Sequence, residues 1–337
     1  MLKKYEGNPI LSPNGANPWE SLATLNPGAW YEDGTFYLLY RAAGHDAEHR
    51  IHLGLATSRD GMHFERCFNH PVLSPLEESF DGGCVEDARV VKFGDEFYVT
   101  YAYRPFPPGQ YWTFPADSVR TYDAGPDAPA VLINNETNTG LLKSRDLKSF
   151  RRLGRLTRAD LDDRDVILFP ERVNGKFALL HRPRQWAGEG FGTDCPSMWI
   201  NFSDDMLVWD WNRSVLLAKP EYWWEAKKLG GGTPPLRTAQ GWLEIYHGVD
   251  EAGVYRVGAM MLDADDPTRI LARTPEPIMQ PEHEYETTGF YAQCVFPTGN
   301  VVVDGTLYVY YGSGDKYCNL ATCALDELVA HVMRYPV

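Results

Sequence analysis

Hydrophobic and polar residues alternate along this chain in short runs, and one arrangement of them returns five times. A small polar turn carrying glycine precedes an aromatic or aliphatic run of β character: DGTFYLLYR from Asp33, FGDEFYVTYAY from Phe93, NGKFALLHR from Asn174, QGWLEIYHG from Gln240 and DGTLYVYYG from Asp304. Asp-Gly or Asn-Gly before alternating apolar residues is the strongest short-range signal for a β-hairpin. The turn glycines are Gly34, Gly94, Gly175, Gly241 and Gly305, separated by 60, 81, 66 and 64 residues.

A second arrangement follows three of these hairpins. SRDGMHF from Ser58, SRDLKSF from Ser144 and SDDMLVW from Ser203 each come after a strand-like run, HLGLAT, TGLLK and MWINF respectively. Two elements recurring at this period predict about four strands per unit, repeated five times. Antiparallel units of that kind bury their faces only against neighbours in a ring. The expected fold is therefore all-β, a five-bladed β-propeller forming a single domain over residues 1–337. The competing arrangement is a β-sandwich with coincidentally similar strands. Only ALDELVAHVMRY, from Ala324, has helical spacing, which predicts a short helix near the C-terminus.

Composition narrows the partners. The 337 residues would fill two average domains or one large all-β domain. Lys and Arg number 32 against 46 Asp and Glu, a net charge of −14. Such a surface repels nucleic-acid phosphate, so no nucleic-acid partner is expected, and any phosphate handled must meet a local basic cluster. The opening MLKKYEGNPILSPNG holds no apolar run of signal-peptide length, and no stretch approaches the roughly 18–20 apolar residues of a membrane span. Six cysteines form no CxxC pair, and Cys318 and Cys323 have no partner ligands nearby in sequence. Free thiols, a cytoplasmic location, no metal and no membrane partner are the expectation.

A hairpin brings residues equally distant from its turn to the same end. Counting about seven residues either side of each glycine pairs Asn26 with Arg41 and brings Asp87 near Tyr101. The same count delivers Arg182, His247 and Asp315 from the remaining units. Each residue alone reads as a turn-capping carboxylate, a surface arginine or a structural histidine. Their convergence on one mouth of a ring is what points to an active site. Ten Trp, nineteen Tyr and fifteen Phe supply faces for sugar rings, while Asn, Asp and Arg suit the hydroxyls. The Pro- and aromatic-rich segment 104–137 is too long for a plain connection. It reads as a lid or an oligomer contact, which leaves a homo-oligomer open.

These residues resemble glycoside hydrolase family 130, the β-mannoside phosphorylases and a minority of β-mannosidases. The resemblance runs through YEGNPILSP at Tyr5, NPGAW at Asn26, LYRA at Leu39 and VEDARV at Val85. It continues in RDVILFPERVNGKFALLHRP at Arg164, KLGGGTPPLRTAQGWLEIYHGVD at Lys228 and YRVGAMMLD at Tyr255, and ends with PIMQPEHEYETTGF at Pro277 and LYVYYGSGD at Leu307. Members of that family are five-bladed propellers. By this resemblance Asp87 takes the place of the catalytic acid, which protonates the glycosidic oxygen, directly or through the mannosyl O3 hydroxyl. Phosphate attacks the anomeric carbon from the opposite face and gives α-mannose 1-phosphate with inversion. Arg164, Arg182, Lys228, His247 and Tyr255 fall at the phosphate-binding positions, and Asn26, Arg41 and Asp315 at the mannosyl-binding ones. No cofactor is implied beyond inorganic phosphate as co-substrate.

Three departures from the family pattern touch acceptor recognition. Ala88 stands where proline is common, YAQCVFP from Tyr291 replaces VPNVVFP, and the 104–137 segment differs. Family hydrolases lose the basic cradle and use acidic residues to activate water. Asp165, Glu171 and Glu225 are the carboxylates in reach of such a role here, and a hydrolytic β-mannosidase is the alternative activity. A non-catalytic carbohydrate-binding propeller is a third reading, though it would need neither an acid nor a cationic cradle.

Overall fold

Each of the five predicted turns joins two antiparallel strands in the computed structural model, which describes residues 1–113 and 121–337. At Asp33-Gly34 and Asp304-Gly305 both turn residues have positive φ, 51° and 70° in the first and 48° and 76° in the second. That pairing matches the right-handed twist of the flanking strands, and glycine in the second position accepts it without a steric penalty.

Among the described residues the strands form four hydrogen-bonded sheets. The largest holds two antiparallel meanders. Ala23–Glu32, Thr35–Ala43 and Ile51–Ser58 make the first, with short Glu65–Arg66 beside it. Cys84–Phe93, Glu96–Arg104, Asn138–Ser144 and Arg151–Arg155 make the second. A single parallel pair, Ile51 with Cys84, joins them. The next sheet is Asp163–Leu168, Phe177–Pro183, Met198–Ser203 and Val215–Ala218. The third holds Lys228–Gly231 with Leu236–Arg237, then Trp242–Val249, Tyr255–Leu262 and Ile270–Arg273. In the last, Val295–Val303, Thr306–Ser313 and Tyr317–Ala324 are completed by Lys3–Lys4 from the opposite end of the chain. Helices are few: the described residues contain three short α-helical segments, Ala130–Ile133, Glu284–Thr287 and the expected C-terminal one, Leu325–Val332.

The recurring Ser-x-Asp segments close the turn after the third strand of their units. The Ser58 hydroxyl accepts from the amides of Asp60 and Gly61, and the Asp60 carboxylate accepts from the amides of Met62 and His63. Ser144 with Asp146 repeats the arrangement, and Ser203 with Asp205 does so in part. Serine and aspartate recur there because each satisfies backbone donors that a tight turn leaves without partners.

Among the described residues the five larger of six buried apolar clusters hold the meanders together. Leu39, Val85 and Val99 join the first to the second, and Val91, Leu141 and Leu179 the second to the third. Ile167, Ile200, Trp242 and Met260 join the third to the fourth. Leu243, Val257 and Val309 join the fourth to the fifth, with Leu328 and Val332 of the C-terminal helix among them. Leu38, Ala56 and Tyr310 return from the fifth to the first. Each cluster takes side chains from two neighbours, so no meander buries its faces alone. Truncating a fully buried member such as Leu243 to alanine costs about 2–5 kcal/mol.

Candidate active site

The first strand of four meanders is interrupted by an irregular register, in the fifth between Pro297 and Gly299, and three of these interruptions carry residues of the site. Those three fall between Leu25 and Gly28, Glu86 and Arg89, and Arg164 and Ile167. Within them Asn26, Asp87 and Asp165 adopt left-handed φ angles of 45°, 54° and 52°. A bulge re-aims a side chain that regular pairing would point elsewhere, and Asn and Asp are the non-glycine residues that best tolerate this conformation. Asp315, with φ of 52°, occupies the turn between Thr306–Ser313 and Tyr317–Ala324. Asp87, Asp165 and Asp315 line a cavity of about 640 Å³.

One side of this cavity is acidic. Asp87 accepts through Oδ1 from the Asn26 amide at 2.8 Å and from Arg41 Nη1 at 3.4 Å. The same Arg41 nitrogen lies 2.8 Å from Glu86 Oε2. No described residue bonds Asp87 Oδ2, so that oxygen is left for a ligand. Burial raises the Asp87 pKa and Glu86 adds to the effect, against the opposing pull of Arg41, Arg89 and Asn26. Burial likewise pushes Asp315 up to about 6, with Asp87 and Glu86 outdoing part of the attraction of Arg41.

The other side is basic. Arg182 Nε donates to Asp165 Oδ2 at 2.6 Å, both side chains being nearly inaccessible. Burial opposes ionisation of Asp165, but Arg182, His247 and Arg89 outweigh it and hold the carboxyl well below the usual range. Lys228 Nζ donates to the Tyr255 hydroxyl at 2.5 Å. Burial, aided by Arg182 and Arg164, lowers the Lys228 pKa to about 7. Arg164 grips Asp162 with two bonds of 2.6 and 2.7 Å.

His247 does not reach the cavity wall. Its ring stacks on Tyr255, with centroids 5.7 Å apart, and its Nδ1 donates to the Gly231 carbonyl at 3.2 Å. Nε2 stands 3.7 Å from Asp165 Oδ2. Burial pushes its pKa down to about 3, so the imidazole is neutral across the physiological range.

Of the three carboxylates expected within reach of a water-activating role, only Asp165 borders the cavity, and Arg182 occupies it. Glu171 is exposed on the bend leading into the Asn174-Gly175 turn, at the far end of its strand. Glu225 is buried in a separate network, accepting from Arg273 Nη2 and the Tyr246 hydroxyl at 2.6 Å each. The expectation for Glu171 and Glu225 is corrected by these positions. Neither carboxylate lines the cavity.

Several wall residues were not anticipated. Glu86 pairs with Arg41, and Arg89 donates to two backbone carbonyls, those of Asp87 at 2.6 Å and Gly232 at 3.0 Å. Both lie in the VEDAR block, beside the residue that was singled out. Arg104, Arg184 and Lys227 line the outer part of the cavity with Pro108, Tyr111 and Tyr291. Trp112 of the same segment packs against Phe290, ring centroids 5.1 Å apart, beside the wall residues Tyr111 and Tyr291. Residues 114–120 of that loop lie outside the described residues.

Residues 1–334 match the glycoside hydrolase family 130 model, described as beta-1,4-mannooligosaccharide phosphorylase. The chain belongs to glycoside hydrolase family 130. Within that family it is 34% identical over 332 residues to the 1,2-beta-oligomannan phosphorylase of Thermoanaerobacter sp. (strain X514), covering 97% of this chain and 98% of the relative. The beta-1,2-mannobiose phosphorylase of the same organism is 32% identical over 338 residues, with the same coverage of each chain. Among solved structures, the complex of the Listeria innocua beta-1,2-mannobiose phosphorylase with beta-1,2-mannobiose superposes with a TM-score of 0.79. That alignment has 25% identity and covers 98% of this chain and 99% of the other. The family 130 assignment thus covers the full set of meanders that build the cavity.

Proposed function

We propose that this family 130 enzyme is an inverting β-mannoside phosphorylase. It cleaves a β-mannosidic bond with inorganic phosphate and releases α-mannose 1-phosphate and a shortened sugar. The observation that carries this reading is the pairing, across one cavity, of a carboxyl held towards its protonated form with a cluster of cations. Asp87 has a raised pKa and one unengaged oxygen, as a proton donor to the leaving oxygen requires. Arg182, Lys228, Arg164 and Tyr255 lie across from it, with arginine forks suited to phosphate oxygens. Asn26, Arg41 and Asp315 hold the mannosyl unit beside Asp87, and His247 supports the cradle from behind Tyr255 and Asp165. The names of the relatives at 34% and 32% identity support phosphorolysis.

An inverting hydrolase needs a second carboxylate free to activate water. The carboxylate nearest the cradle, Asp165, is ionised but committed to Arg182 at 2.6 Å. Its role is to hold the guanidinium in place until phosphate arrives. Phosphate brings its own negative oxygens, so the nucleophile needs no base and no further cofactor.

We further propose that the five meanders form the blades of one propeller over residues 1–337. In support, five apolar clusters lie between successive meanders, the fifth returning to the first, and Lys3–Lys4 completes the last sheet. The six cysteines are free thiols, which fits the reducing cytoplasm proposed as its location. The test of the function is to incubate the protein with β-1,2- and β-1,4-mannobiose, with and without inorganic phosphate. Cleavage that depends on phosphate supports the reading. Equal release of mannose in its absence would make the enzyme a β-mannosidase.

A further inference from the structure

The outer cavity carries more positive charge than the phosphate reaction uses. Arg41 faces Glu86 and Asp87, and Arg182 faces Asp165. Lys228 and Arg164 complete the proposed cradle. Beyond them Arg104, Arg184 and Lys227 also line the cavity. Arg104 and Arg184 both act on Asp162, whose two oxygens are already taken by Arg164 at 2.6 and 2.7 Å. Arg184 Nη1 reaches Asp162 Oδ2 only as an additional partner at 3.2 Å. Arg104 spends Nη1 on the Asn135 carbonyl at 2.8 Å, and Lys227 forms no ion pair among the described residues. Burial resists ionisation of Asp162, yet Arg164, Arg184 and Arg104 together lower its pKa to about 2. One carboxylate therefore sits among three guanidiniums.

These cations occupy the exposed side of the cavity. The Arg184 side chain is 54% exposed, against 12% for Arg41 and 5% for Arg182. On the proposed reading a mannosyl unit held at Asp87 would leave its acceptor towards the open side of the cavity, whose wall includes Tyr111 and these three residues. Among the described residues three guanidiniums share the one carboxylate of Asp162, so they repel one another and a bound anion would relieve that repulsion. Phosphate fills the inner cradle and leaves the outer group unmatched.

We infer that the acceptor subsite recognises an anionic sugar, one bearing a carboxylate or a phosphate group, through Arg104, Arg184 and Lys227. This rests on the phosphorylase reading and deepens it. Tyr111 would meet the face of the acceptor ring, while the arginine forks take the anionic oxygens by charge-assisted hydrogen bonds.

The reaction run in the synthetic direction tests this. With α-mannose 1-phosphate as donor, release of inorganic phosphate is measured for glucose against glucuronic acid, and for glucose and mannose against their 6-phosphates. At low ionic strength an acidic acceptor should exceed its neutral parent in kcat/KM by about tenfold or more, and the advantage should shrink with added salt. The uronic acid and sugar-phosphate arms show which anion is preferred. In Arg184→Gln, whose side chain is half exposed and tolerant of exchange, the acidic-to-neutral ratio should fall towards one, and Arg104→Gln should act in the same direction. Turnover of neutral acceptors with no acidic preference, or a ratio untouched by Arg184→Gln, overturns the inference and leaves the phosphorylase reading standing. No phosphate release with any acceptor overturns both.

Discussion

Arg89 donates from Nη1 to the backbone carbonyl of Asp87 at 2.6 Å, and its Nε reaches the carbonyl of Gly232 at 3.0 Å. The guanidinium is buried and spans strands 143 residues apart in sequence. It therefore fixes the peptide that gives Asp87 its left-handed conformation. Such a backbone costs on the order of 1–3 kcal/mol and persists only when its surroundings hold it. Arg89→Lys keeps the charge but loses the fork that serves two carbonyls. The expected result is a fall in kcat of about tenfold or more with little change in the KM for phosphate. Steady-state kinetics in both substrates checks this, and a variant with normal kcat would remove Arg89 from the positioning of Asp87.

Asp87→Asn retains the shape and the Asn26 contact but cannot donate an acid proton. Removing a general acid typically costs about 10²–10⁴-fold, and kcat should fall within that range. Phosphate should still raise the thermal midpoint of the variant, because the cradle is untouched. Near-normal turnover would show that another group protonates the leaving oxygen.

Arg182 and Asp165 form a nearly inaccessible pair, so removing one partner strands the other. Arg182→Met should lower stability by about 3–5 kcal/mol, the usual cost of an unpaired buried charge. Adding Asp165→Asn should restore much of that stability without restoring phosphate affinity. Denaturant midpoints for the single and double variants, set against their KM values for phosphate, separate the two effects. Phosphate KM returning to normal in the double variant would exclude Arg182 from the cradle.

Lys228 gives the cradle a pH dependence of defined sign. Burial favours its neutral form, and its pKa of about 7 means the free enzyme loses that positive charge as pH rises through neutrality. Anion affinity should be greatest below this value and should fall above it. Sulfate reports the effect cleanly, since its own charge is constant over the range. Its inhibition constant against phosphate should rise between pH 6 and pH 9, a span chosen around the Lys228 pKa of about 7, and the slope should vanish in Lys228→Met. A flat profile in the unaltered enzyme would mean that Lys228 keeps its proton throughout.

The hairpin pattern carried much of this architecture because its signals are local. Asp33-Gly34 and Asp304-Gly305 announce their turns in two residues, and counting outward from such turns reaches Asn26, Arg41 and Asp87 without tertiary information. The count assumes regular pairing, so it could not show the bulges that turn Asn26, Asp87 and Asp165 into left-handed conformations. Nor could it show that Arg182 would be met by Asp165, 17 residues earlier. Arg89 was equally hidden, because its partner Gly232 lies just past a strand of another sheet. Glu171 and Glu225 were misplaced for a related reason. Proximity in sequence to cradle residues says nothing about which end of a strand, or which face, a carboxylate occupies.

Whether phosphate or water attacks the anomeric carbon is read from the products. A β-mannoside that the enzyme cleaves is incubated in phosphate buffer while phosphorus and proton NMR follow the sugar products. An inverting phosphorylase yields one α-mannose 1-phosphate for every bond broken and no cleavage when phosphate is withheld. Free mannose appearing at the same rate with or without phosphate, or a β-configured phosphate product, would contradict that reading.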